Sequence, residues 1–224
     1  MPAQSARIAV QRQALGEETR EALINAATAV FIDDGYRAAR VQNIASRAGH
    51  RLSAINYHFG GKEGLYRAVL LHHAEQALRN APLPAPDQCA TPREALQAAI
   101  AALVRRFLDP HSGSRIGALM LRELTNPTSA LDTLIERFSL PQAKAFRALL
   151  AAVLGPAASN ETLNRALLSV FGQCMVYVTA RPLIERIAPE VLTGDALVAR
   201  IAAHITDFSW GGLMALKALQ ENPQ

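Results

Sequence analysis

An all-α chain in two helical parts is what the sequence predicts, and three observations carry that reading. Apolar residues recur at three- and four-residue spacing along most of the chain, with no alternating strand pattern and no long β-branched run. Four prolines between Pro82 and Pro92, in APLPAPDQCATP, interrupt the pattern. Proline lacks an amide donor and restricts its predecessor, so this stretch reads as a connector. Residues 41–59, VQNIASRAGHRLSAINYHF, then place two short helices on either side of a glycine.

Residues 1–16 hold Arg7 and Arg12 and no acid, and are expected to form a flexible basic arm. Leu23, Ala26, Ala27, Val30 and Phe31 make the first apolar stripe, closed by Asp33-Asp34-Gly35. Val41, Ile44, Ala45 and Ala48 make the second, closed at Gly49. Leu52, Ile55 and Phe59 make the third, closed by Gly60-Gly61, and residues 62–80 continue as a connecting helix. After the connector, Thr91-Pro92-Arg93-Glu94 is a helix start with a capping Thr, Pro in the first turn and Glu placed for a capping box. Asn126-Pro127 opens a further helix that Pro141 should kink near Ser139, and Pro110, Pro156, Pro182 and Pro189 punctuate the rest. Two long helices, Leu163 to Thr179 and about Asp195 to Leu219, finish the chain. The first is apolar around much of its circumference and must be covered on more than one side. The expected division is an arm over 1–16, a three-helix domain over 17–61, a connecting helix over 62–80 and a helical domain over 81–224.

Composition narrows the class. The 224 residues are 50% hydrophobic, which excludes wholesale disorder. The longest uncharged run, Ala166 to Ala180, is shorter than the ~20 apolar residues a spanning helix needs. No apolar core follows Arg7 and Arg12, so the start does not read as a secretory signal. Cys89 and Cys174 stand in no CxxC and make neither a disulfide framework nor a zinc module. The expected compartment is the cytoplasm. The formal charge is +4, with a net of +3 in residues 1–80 and +1 in the remainder. Basic residues are mostly Arg, whose bidentate geometry suits phosphate and guanine. The charge permits a polyanion partner without demanding one.

The spacing of residues 41–59 is helix-turn-helix geometry, in which the second helix enters the major groove and the first crosses the backbone. Ala45 is small where the helices would cross, and Gly49 suits the left-handed turn. Ile44, Leu52, Ile55 and Phe59 are expected to face inward, leaving Arg51, Ser53, Asn56, Tyr57 and His58 outward. An ordinary αα-hairpin with a solvated outer face fits the same spacing.

A resemblance separates the two. The stretch from about Thr19 to Arg79 resembles the N-terminal domain of TetR-family transcriptional regulators, in GYRAARVQNIASRAG, in a helix ending YHF, and in GGKEGLYRAVL. AINYHFGGKEGLY, and LMLRELTNPTSALDTLIERFSLPQ over residues 119–142, look like the CecR-like branch. The resemblance implies an N-terminal helix-turn-helix DNA-binding domain and a C-terminal helical ligand-binding and dimerisation domain. It places Arg40, Gln42 and Asn43 at the start of the second helix against phosphates, and Arg51, Leu52, Ser53, Asn56, Tyr57 and His58 toward the major groove. Tyr57 and His58 match phosphate clamps, and Lys62 matches a phosphate ligand at the next helix start. Ala39-Arg40 departs from the family's hydroxyl residue before the second helix, and Leu52 and Ala54 replace polar residues often found there.

Other chemistries find little support. No HExxH occurs and no Glu lies three before any His; His72 and His73 point about 100° apart on a helix, so at most one pairs with Glu75. No metal, cofactor or catalytic constellation is expected, and no enzyme. Arg122-Glu123 interrupts an apolar segment and reads either as an ion pair at a helix end or as a polar anchor in a ligand pocket. In the second case Met120, Arg122, Phe171, Cys174, Met175 and Tyr177 are candidate lining residues. The expected function is that of a ligand-responsive homodimeric repressor, dimerised through the last two helices and released from a palindromic operator by a small molecule. The rival is a helical ligand-binding or adaptor protein that has lost DNA readout.

Overall fold

A computed structural model describes residues 2–85, 88–109 and 115–221. Pro86 of the connector and the break at Pro110 lie outside the described residues. The described residues are helical throughout, with no strand. The elements are α1 (Pro2–Ala38), α2 (Val41–Arg47), α3 (Leu52–Phe59), α4 (Lys62–Asn80), α5 (Pro92–Leu108), α6 (Ile116–Thr125), α7 (Ala130–Leu134), α8 (Leu140–Leu154), α9 (Asn160–Thr179), α10 (Arg181–Ile187) and α11 (Leu197–Glu221). They fall into two compact units, residues 1–73 with 122–134, and residues 74–121 with 135–224.

In the first unit the segment expected as an arm is helix from Pro2 onward. Ala, Gln, Arg and Leu favour a helix there, and the lone Gly16 costs only ~1 kcal/mol, too little to end it. The side chains of Arg7 and Arg12 lie outside the described residues. Leu23, Ile24, Ala27, Val30 and Phe31 of α1 pack with Ile44, Ala45, Ile55, Leu65 and Val69 to make the core. The chain bends at Gly35 (φ 76°) and enters α2. His73 is buried and its Nε2 lies 2.9 Å from Thr28 Oγ1, so it serves packing between α1 and α4. The described residues contain no cluster that would hold a metal ion.

The first unit also takes in Arg122–Leu134, which the sequence reading assigned wholly to the second part. Hydrogen bonds of Arg122, Glu123 and Ser129 with α1 and α4 tie it there.

In the second unit α5, α8, α9 and α11 enclose one core, with Leu96, Ile100, Val104, Leu150, Cys174 and Ile205 at its centre. The capping box at Thr91 and Glu94 forms as expected. Where Pro141 is expected to kink or divide the helix near Ser139, a π-helical turn over Ile135–Ser139 precedes α8. The Pro141 ring and missing amide are incompatible with the regular α-helical bond to the Arg137 carbonyl. No single described helix is long and apolar enough to cross a membrane.

Candidate nucleic-acid interface

The turn between α2 and α3 is built from three backbone bonds, donated by Ala48, Gly49 and His50, and one glycine conformation. Ala48 closes α2, Gly49 turns left-handed at φ 71°, and His50 N–H donates to the Ala45 carbonyl at 2.9 Å. A side chain at Gly49 would meet no neighbour; backbone conformation is what selects glycine. Ile44 and Ile55 are fully buried and anchor the pair from beneath.

That anchoring decides what faces out. Arg51, which precedes α3, and Ser53, Asn56 and Tyr57 on it are exposed, Tyr57 to 85%. Leu52, expected to face inward, is exposed instead. It sits at the first position of α3, one turn from Ile55, where the core has ended. His58 is half-buried, its ring edge-on to Tyr57 at 4.9 Å, so it is less outward than the sequence suggested. Arg40 and Gln42 are exposed at the start of α2, and Asn43 is half-buried. Arg40 makes no side-chain cap, as the loss of a hydroxyl there implied.

Lys62 opens α4. Its Nζ donates to the Arg37 carbonyl at 3.1 Å and stands 4.9 Å from the centre of the Tyr36 ring, and partial burial lowers its pKa. An ammonium has three donors, so this bond leaves capacity for an anion. Between Gly35 and Lys62 the chain carries Arg37, Arg40, Arg47, Arg51 and Lys62 with no Asp or Glu. The segment that builds the helix pair thus brings basic charge and no acidic side chain of its own.

α4 is pressed against the end of α3 through Gly64. A Cβ there would stand 1.8 Å from the Phe59 carbonyl oxygen, so no other residue fits without backbone movement.

The last piece of the unit is Arg122-Glu123. The two do not pair with each other. Arg122 donates from Nε and Nη2 to the Ile32 carbonyl (3.0 and 2.6 Å) and from Nη2 to the Asp33 carbonyl (2.9 Å). These carbonyls lie in the turn of α1 that precedes the bend at Gly35. Glu123 is fully buried and accepts from Tyr66 Oη at 2.7 Å and from Thr128 N–H and Oγ1 at 3.2 Å. Ser129 adds a bond to Glu63 Oε1 at 2.7 Å. An open cavity of about 190 Å³ lies beside this clasp, lined by Tyr36, Arg37, Tyr66, Arg122, Asn126 and Thr128 among others.

Residues 23–69 match the family described as bacterial regulatory proteins, tetR family, and residues 92–213 match that described as HTH-type transcriptional dual regulator CecR, C-terminal domain. The second match alone spans more than half of the chain. The chain belongs to the TetR family, in its CecR-like branch.

Its members are DNA-binding transcriptional regulators and not enzymes. The HTH-type transcriptional dual regulator CecR of Shigella flexneri is 29% identical over 173 residues, covering 72% of this chain and 76% of that protein. Two solved structures share the fold. The fatty acid degradation regulator FadR from Bacillus halodurans superposes with a TM-score of 0.63 at 17% identity, over 87% of this chain and 95% of that one. The transcriptional regulator FadR from Bacillus subtilis, solved in complex with stearoyl-CoA, gives 0.61 at 17% identity, over 86% and 98%.

Of the expected ligand residues, Arg122 lies in the first unit with its guanidinium on the α1 carbonyls, and Met120, Phe171, Cys174, Met175 and Tyr177 lie in the second. Cys174 and Met175 are buried core residues, as is Met120, while Phe171 and Tyr177 are half-buried. Burial pushes the Cys174 thiol up to about 12 and also raises Tyr177. The sequence reading missed Gly64, Tyr66 and Thr128. Gly64 and Tyr66 lie inside the GGKEGLYRAVL segment that carries the resemblance, but nothing in it names their distant partners; Thr128 follows Asn126-Pro127, a turn signature that favours a local side-chain hydrogen bond.

Proposed function

We propose that this regulator is a homodimeric repressor that binds a palindromic operator and is released by a small molecule held in its second unit. The exposed row of Arg51, just before α3, and Ser53, Asn56 and Tyr57 on it, in a segment free of acidic residues, carries the DNA half of the reading. Asn56 offers an amide suited to adenine, Leu52 an apolar contact for a thymine methyl, and Arg40, Gln42, Asn43, His58 and Lys62 phosphate contacts. One such helix pair makes too few contacts for tight specific binding; a two-fold dimer doubles them.

The dimer half rests on α9 and α11. Leu168 and Phe208 are 67% and 69% exposed, with Val176 and Leu219 also exposed on the same two helices. A second copy would cover this surface. Half-sites then fall about one helical turn (~34–36 Å) apart or slightly more. The stearoyl-CoA in the Bacillus subtilis FadR structure supports small-molecule binding by this fold. An effector must favour the DNA-incompetent state; equal affinity for both states shifts nothing. The cell compartment is the cytoplasm, where the operator is.

The test is selection of the purified protein against random duplex DNA near physiological salt, followed by sequencing. An enriched palindrome is expected. Recovery of unrelated sequences, with weak salt-sensitive binding, would return the chain to the rival reading of a helical ligand binder without DNA readout. The name dual regulator carried by the Shigella flexneri relative favours a second activity, activation at other promoters, which a reporter on each recovered site would reveal.

A further inference from the structure

Among its described residues, the second unit buries one cation without a carboxylate. Arg106, in the last turn of α5, is 2% exposed and takes part in no ion pair among the described residues. Its Nε donates to the Ala81 carbonyl at 2.7 Å and its Nη1 to Gln142 Oε1 at 3.0 Å. Nη2 is buried and has no hydrogen-bond partner. Burial holds the guanidinium below its usual range, at about 10. A buried charge is ordinarily retained only with a counter-ion, because desolvation costs several kcal/mol and an orphaned donor adds to it.

The surroundings show how a ligand would be received. Ala81 follows the end of α4 and opens the connector Pro82–Ala85, which is not helical. Gln142 lies in the first turn of α8, directly after the π-helical turn, a distortion common at functional sites. Leu103 and Phe107, the neighbours of Arg106 along α5, belong to or pack on the apolar core of the unit, as does Leu83 of the connector. Arg106 is therefore a fork-shaped donor with one arm unused, set against apolar surface beneath an irregular segment.

The geometry points to Arg106 as the anchor of an effector site for an anionic amphiphile, a carboxylate or phosphate head on an apolar body, with Nη2 donating to the head and Gln142 steadying the fork. This rests on the ligand-responsive reading above and names the effector's chemical class. A guanidinium gives such a head a charge-assisted, directional bond that a neutral head cannot match.

The test is calorimetric titration of the full-length protein with decanol, decanoate and decyl phosphate, three ligands sharing one chain. At least one anion should bind about tenfold or more tighter than decanol, the step that 1.4 kcal/mol produces. The tighter of the two anions assigns the head as carboxylate or phosphate. R106M should bind all three alike. R106K, which keeps the charge without the fork, should retain only part of the preference, and it decides the matter if R106M does not fold. Equal binding of decanol and the anions, or an undiminished anion preference in R106M or R106K, would overturn the role of Arg106 and leave an apolar effector site standing. Binding of none of the three would overturn the site itself and reduce Arg106 to a clamp on the end of α4. The wider effector reading would then be judged separately, by whether cell metabolites release the selected operator.

Discussion

The Tyr66 hydroxyl donates to Glu123 Oε1 at 2.7 Å, joining α4 to a carboxylate 57 residues further along the chain with both side chains out of water. Removing the donor leaves a buried acceptor short of one bond. Tyr66→Phe should cost about 1.5–3 kcal/mol, the range for hydrogen bonds to charged groups. In thermal unfolding that is a loss of about 2–4 °C per kcal/mol. A melting temperature equal to wild type would remove this bond from the stabilising set.

The same pair has a pH signature. Burial first, and then the hydrogen bond and charge of Glu123, raise the Tyr66 pKa above the ordinary 10.0. The native state holds the phenolic proton more tightly than the unfolded chain does. Its contribution is complete below pH ~10 and declines as pH rises beyond that. Denaturant titrations between pH 8 and 11 should show the wild type losing stability more steeply than Tyr66→Phe at the alkaline end.

Gly64 packs against the Phe59 carbonyl where a Cβ would approach to 1.8 Å. Gly64→Ala improves intrinsic helix propensity by about 0.5–1 kcal/mol, yet the clash is with backbone that cannot rotate away. Overpacking of ~1–3 kcal/mol should win, giving a lower melting temperature and weaker operator binding. A stabilised variant would mean that α3 and α4 separate freely.

Tyr57 is 85% exposed and makes no core contact. Tyr57→Ala should leave stability within about 0.5 kcal/mol of wild type while weakening operator binding on the order of tenfold. Fluorescence anisotropy on the selected operator reads the second effect, and unchanged affinity would take Tyr57 out of the contact set.

Leu168 and Phe208 stand exposed on α9 and α11. A charge on each should dissociate the proposed dimer, because an apolar interface cannot bury two unpaired carboxylates. Sedimentation of L168E/F208E should give a monomer at micromolar concentration where the wild type gives a dimer. A wild-type monomer under the same conditions would sink the dimer reading.

Cys174 is fully buried with its thiol pushed up to about 12, whereas Cys89 is partly exposed. Only thiolate reacts, so native protein at pH 8 should consume one equivalent of a thiol reagent quickly and the second only after denaturation. Fast uptake of two would show that the α9 core opens to solvent.

Local signals settled much of this molecule before any tertiary contact was considered. The apolar period made the chain helical, Gly49 placed the turn, Thr91 and Glu94 started α5, and Pro141 distorted the helix at Ser139, because each acts through neighbours a few residues away. The family followed from those same segments. What the tertiary structure alone decided depends on long-range packing. It turned Leu52 outward, set Arg122 on the α1 carbonyls, buried Glu123 beneath Tyr66, and left Arg106 desolvated without a carboxylate. Burial and partner identity are properties of three-dimensional neighbours, and a sequence displays only the neighbours along the chain.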